Sequence, residues 1–135
     1  MEKVEKEKIV NIVKDLSVLI LANNIVVVSS LARIIYHFSN YALMYILTFL
    51  SGVILGLVAR DLKRTVLYSL IVTICSSLIL WATLNLPIFL NVVTGRSLVI
   101  AYILGRTSQV IITCLITLIL IVSSGLFTVM ILGEK

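Results

Sequence analysis

Four apolar stretches, at residues 16–35, 41–59, 65–84 and 107–132, occupy most of this chain. Each is close to or beyond the roughly 20 residues that a helix needs to cross a hydrocarbon layer about 30 Å thick. Short polar or charged segments separate the first three, and residues 85–106, a longer and largely apolar stretch, precede the last. Such a pattern predicts an all-α fold: a polytopic integral membrane protein whose four transmembrane helices pack as an antiparallel bundle. The whole of residues 1–135 is then one transmembrane domain, with no length left for a second, soluble one.

Composition agrees. Hydrophobic residues make up 61% and charged residues 13% of the chain, with a mean hydropathy of +1.21. Soluble domains run at about 45–50% apolar and roughly 25% charged, so a soluble fold of this size would leave too much apolar surface in water. The net charge of +5 does not point to nucleic acid. The Lys and Arg residues sit in the short segments between apolar stretches, where they set topology and meet anionic lipid. The expected partners are the bilayer and other membrane subunits, a second copy of the chain among them.

Residues 1–15 mix Glu2, Lys3, Glu5, Lys6, Glu7, Lys8, Lys14 and Asp15 with Val4, Ile9, Ile12 and Val13. The apolar positions fall on one stripe, which predicts an amphipathic helix that lies on the membrane or runs straight into the first span. Acidic residues in this segment and the length of the following apolar run argue against a cleavable secretory leader. His37 to Asn40 reads as a tight turn, and Arg60 to Arg64 as a compact basic loop. Pro87, with Asn85, Asn91, Thr94 and Gly95 around it, predicts a break over residues 85–96 that hugs the interface.

The last apolar stretch is too long for one span if it starts near residue 97. An unbroken helix from there to residue 132 would reach about 54 Å. It either projects past the membrane or breaks near Gly105 and Arg106. Lys and Arg number eight in the N-terminal segment, the second loop and the C-terminus (Lys3, Lys6, Lys8, Lys14, Arg60, Lys63, Arg64 and Lys135), against three on the other side (Arg33, Arg96 and Arg106). The imbalance predicts both termini and the basic loop Arg60, Lys63, Arg64 in the cytoplasm.

Ionisable groups inside a membrane are functional suspects by default, and no Asp or Glu lies within any of the four spans. Where small multidrug exporters carry a glutamate in the first helix, this chain has Asn23 and Asn24. No metal-ligand cluster, cofactor motif or nucleophile with a base at workable spacing is visible, so no catalytic, metal or cofactor residues are assigned. Cys75 and Cys114 lie deep in apolar runs and read as inert thiols.

The remaining polar candidates are Asn23, Asn24, Arg106 and Gln109. The two amides, about 100° apart on a helix, read first as interhelical hydrogen-bond formers and second as the lining of a path. Arg106 and Gln109 share a helix face, with Arg106 snorkelling at the boundary if the helix begins near residue 97. Gly52 and Gly56 form GxxxG, which lets two helix backbones approach closely within the chain or between copies. These readings predict a small non-enzymatic membrane subunit acting through helix–helix association. The alternative is an oligomeric transporter or channel for small solutes or ions, with the four polar residues along its path.

Overall fold

The structure is a computed structural model that describes the backbone of residues 2–36 and 41–133 and the side chains of residues 9–34 and 42–133. His37 and the turn expected around it lie outside the described residues. Four helices account for nearly all the rest: α1 (Glu2–Tyr36), α2 (Tyr41–Ala59), α3 (Leu62–Phe89) and α4 (Arg96–Leu132). Each is long and apolar enough to cross a membrane, and no strand occurs among the described residues.

The helices alternate in direction. Asp15 of α1 meets Tyr68 of α3, and Gly52 of α2 meets Ser124 of α4, so each of these pairs runs parallel. Contacts from Ser29 to Thr48 and from Trp81 to Thr107 make α1 antiparallel to α2 and α3 antiparallel to α4. In the bundle α2 and α3 each pack against both α1 and α4, whereas α1 and α4 stand diagonally opposite. The start of α1, the α2–α3 turn and the end of α4 therefore share one end, the Arg60 end. The α3–α4 turn marks the other, the Gly95 end.

Polarity inside this bundle is inverted relative to a soluble one. Among the described residues, thirteen polar side chains are buried against eleven apolar ones, and all but one of the thirteen are Ser or Thr. The large aliphatic residues point outward, as at Leu78, Leu104 and Ile119. Water would penalise that arrangement by about 25 cal/mol for every Å² of apolar surface left exposed; lipid imposes no such penalty. The buried hydroxyls are mostly satisfied along their own helices: Thr65 donates to the carbonyl of Asp61, Ser69 to that of Thr65 and Thr73 to that of Ser69, at 2.7–2.8 Å. Thr113 and Thr128 of α4 do the same to Gln109 and Ser124.

Small residues on the inner faces let backbones approach. The tightest seam joins α2 to α4. A Cβ built on Gly52 would collide with Ser124 Oγ and come within 2.5 Å of the Ile121 carbonyl oxygen, and one on Gly56 would stand 2.5 Å from the Gly125 carbonyl oxygen. A Cβ on Gly125 would in turn stand 2.7 Å from Thr65 Cγ2, so α2, α3 and α4 converge at this depth. Leu55, Ile121, Val72, Val26 and Ala22 form the apolar cluster beside it.

Several boundaries differ from the expectation. The charged N-terminal segment is the first part of α1, continuous with the span. Asp61 caps α3, its carboxylate accepting from the Lys63 N–H at 3.0 Å, so Lys63 and Arg64 belong to a helix and only Arg60, with φ 48°, and Asp61 remain as the turn. The break expected over residues 85–96 starts later, because α3 continues through Asn85 to Phe89 with Pro87 in its last turns. Proline there removes one N–H and crowds the preceding turn, a modest loss so near a helix end. The carbonyl of Pro87 then accepts from Val92 N–H at 2.9 Å, and Asn91 turns the chain with φ 56°, a conformation asparagine tolerates better than most residues. Helix α4 runs unbroken through Gly105 from Arg96.

A Gly52→Leu substitution is expected to disrupt the α2–α4 seam, at a cost above the 1–3 kcal/mol of ordinary overpacking, and to lower the unfolding temperature in detergent sharply. A Cβ on Gly105 meets nothing within 4 Å. Gly105→Ala should therefore leave that temperature unchanged or raise it, since alanine favours a helix over glycine by about 0.5–1 kcal/mol.

Candidate functional site

Asn23 and Asn24 stand near the middle of α1. Asp15 and Arg33, the charged residues that flank this part of the helix, lie eight to ten positions away on either side, about 12–15 Å of helix rise. The two amides part company. Asn23 turns toward the bundle with its Oδ1 fully buried and without a hydrogen-bond partner. Asn24 is exposed on the outer surface of α1, among Ile20, Leu21 and Val28, which are exposed too. No hydrogen bond from either side chain to another helix occurs among the described residues.

Arg106 and Gln109 are brought together at the Gly95 end. Arg106 Nη1 donates to Gln109 Oε1 at 3.1 Å, and the guanidinium lies 5.1 Å from the centre of the Tyr102 ring. Beside them opens a cavity of about 690 Å³ between the ends of α1, α3 and α4. Trp81 Nε1 donates to Thr107 at 3.1 Å one residue further along α4, and its ring meets Phe89 edge-on. Tryptophan is enriched at membrane boundaries, and Arg106 lies at the same depth of the bundle as Trp81. Tyr102 Oη donates to the Leu84 carbonyl at 3.2 Å, tying the overhanging parts of α3 and α4 together.

The four polar candidates thus do not line one path within a single chain: Asn23 faces in, Asn24 faces out, and Arg106 with Gln109 forms a separate cluster at one end. A hydroxyl-bearing crevice does lie between α1, α2 and α4, walled by Ser29, Ser30, Thr48, Thr113 and Thr117 with Arg33 at its edge. Its free volume is about 10 Å³, room for one water at most. Arg33 itself lies 6.0 Å from the Tyr45 ring centre.

Gly52 and Gly56 are buried within the chain, as described above. Arg60, Lys63 and Arg64 are exposed at the α2–α3 turn, and the 3.9 Å approach of Arg64 Nε to Asp61 is a solvent-facing ion pair of little energetic consequence. Cys75 is a free thiol on the outside of the bundle, and Cys114 a half-buried one. No group of three or more His, Cys, Asp or Glu residues that could hold a metal occurs among the described residues.

Sequence reasoning missed three features that position these groups. Tyr68 Oη donates to Asp15 Oδ2 at 2.8 Å, fixing α1 against α3 near the Arg60 end. The Asp61 cap had a legible signal, an aspartate immediately before an apolar run. So had the buried face of α3, where Thr65, Ser69, Thr73 and Ser76 recur at helical spacing.

Fold and polarity together define a small polytopic α-helical membrane protein. Comparison of the chain with family models, with curated proteins and with solved structures gives no match in any of the three.

Replacing Asn23 by leucine removes a buried amide oxygen that has no partner. Removing an unsatisfied polar group is neutral or stabilising, where removing a bonded one costs about 1 kcal/mol. The expected result for Asn23→Leu in detergent is an unfolding temperature equal to or above that of the parent; a clear drop would mean that the amide is bonded.

Proposed function

We propose that this chain is a non-enzymatic membrane subunit that works by helix–helix association, and that the outer face of α1 carrying Asn24 is where a second copy or another membrane subunit packs. One observation carries the reading: an amide stands on the outside of the bundle near the middle of a span. Hydrocarbon offers it no partner, and an amide transferred to such a medium unbonded costs about 4–8 kcal/mol. An asparagine on a neighbouring helix removes that penalty, and interhelical hydrogen bonds of this kind contribute about 0.6–2 kcal/mol. The GxxxG pair does not compete for the role, because both glycines are occupied by α4.

The size of the protein supports the same reading. Helix α2 has 19 residues and its connection to α3 is only a short turn, so little extramembrane surface is available there for soluble partners. Most Ser and Thr hydroxyls buried in the bundle are turned back onto their own helices, and among the described residues they form no assembled acid–base pair. By the excess of Lys and Arg at the Arg60 end, that end faces the cytoplasm with both termini.

In native-lipid nanodiscs the protein should be oligomeric. Asn24→Leu should weaken self-association about tenfold, roughly the 1.4 kcal/mol expected of one interhelical bond, while Asn24→Gln should retain it. A strictly monomeric parent protein with no co-purifying subunit would overturn the proposal. The orientation is checked separately with a reporter fused after Lys135: activity confined to the cytoplasmic side is expected, and a signal from the opposite side would reverse the assignment.

A further inference from the structure

The acids of this chain lie toward one end together with eight of its eleven Lys and Arg residues, and three arginines stand apart from them at the other end. Glu2, Glu5 and Glu7 lie in the first turns of α1, Asp15 and Asp61 follow at the Arg60 end, and Glu134 comes two positions after α4 stops. There are no other acidic residues. Arg33, Arg96 and Arg106 stand at the Gly95 end, and the rise from Asp15 to Arg33 along α1 is about 27 Å. Among the described residues none of the three pairs with a carboxylate.

Arg106 is the one of the three that borders a cavity of useful size. Its contacts within the chain are both neutral, one N–H to Gln109 and one face toward Tyr102. A guanidinium carries five N–H donors, so most of its capacity is unused by these two. The cavity beside it, about 690 Å³, has an apolar wall of Ile34, Leu84, Pro87 and Ala101, and the absent side chain of Gly105 keeps the approach to it open. Its depth is set by Trp81 and Thr107, at the level where hydrocarbon gives way to headgroups.

We propose that this cavity is a phospholipid site: the phosphate sits on the Arg106 guanidinium, with Gln109 holding that group in place, and an acyl chain lies along Ile34, Leu84, Pro87 and Ala101. The occupant follows from charge and depth together. A cation with no counter-ion among the described residues, placed at headgroup level above an apolar wall, matches an anion covalently joined to a hydrocarbon chain. Arginine forks onto phosphate with two parallel hydrogen bonds, and tyrosine at the same level suits the interface.

The test is lipid retention by the purified full chain in mild detergent, followed by native mass spectrometry during titration with phosphatidylglycerol or with a phosphate-free galactolipid of the same acyl chains. Tight binding of one phosphatidylglycerol per chain is expected, with the galactolipid about tenfold weaker or more. Arg106→Gln should reduce phosphatidylglycerol binding about tenfold, the effect of losing one charge-assisted contact, and Arg106→Lys should keep most of it. Ala101→Leu, which fills the apolar wall and leaves the charge, should also weaken binding. Circular dichroism and size-exclusion profiles equal to the parent's qualify each variant as folded. Equal retention of the two lipids, or equal binding by folded Arg106→Gln, overturns the proposal. Displacement of the lipid by millimolar inorganic phosphate overturns it too, because the site would then take a free anion rather than a lipid.

Discussion

Hydrocarbon neither donates nor accepts a hydrogen bond, and it rewards apolar burial no more than the lipid tails already do. What holds these four helices together is therefore close contact between small residues, and the rest of the structure depends on it. At Gly52, Gly56 and Gly125 the backbones of α2 and α4 come near enough that a single methyl group would not fit. The surrounding Ser and Thr residues serve the same end. Each is small, and each returns its hydroxyl to a carbonyl of its own helix, so it can be buried without asking anything of a neighbour.

Bonds between helices are few and sit mostly near the ends. Tyr68 to Asp15 lies toward one boundary, and Trp81 to Thr107 and Tyr102 to the Leu84 carbonyl toward the other. Among the described residues, Ser29 and Thr48, 3.5 Å apart, meet across helices deeper in the span. The middle is left to Ala22, Val26, Leu55, Val72 and Ile121. The side chains that bond across helices stand mostly toward the ends of the bundle, and apart from Asn23 and Asn24 close packing governs the centre.

The number of helices and their approximate spans were legible because a run of apolar residues long enough to cross a bilayer has few other fates. Boundaries were less so. Pro87 looked like a stop, but two residues of helix beyond a proline cost little, and its carbonyl is reused to close the turn. Lys63 and Arg64 looked like a loop because charge was weighed and the Asp61 cap was not. For the candidate site, spacing correctly placed Arg106 and Gln109 on one face, since that follows from helix geometry alone. Which of Asn23 and Asn24 faces inward depends on how α1 is rotated against α2 and α3, and nothing local in the sequence sets that rotation. The cavity beside Arg106 was invisible for a related reason, being made of residues from three helices whose relative heights emerge only on packing.

The glycine seam clamps α2, α3 and α4 in the half of the bundle nearer the Arg60 turn, where Thr65 and Gly125 touch. At the far end Leu80, Leu84 and Val110 pack together with Leu31 and Ile34 beside them, aromatic side chains bridge α3 and α4, and open volume lies next to Arg106. The two ends are therefore sensitive to different substitutions: an added methyl group has no room at the glycines, whereas at Gly105, near the other end, it meets nothing.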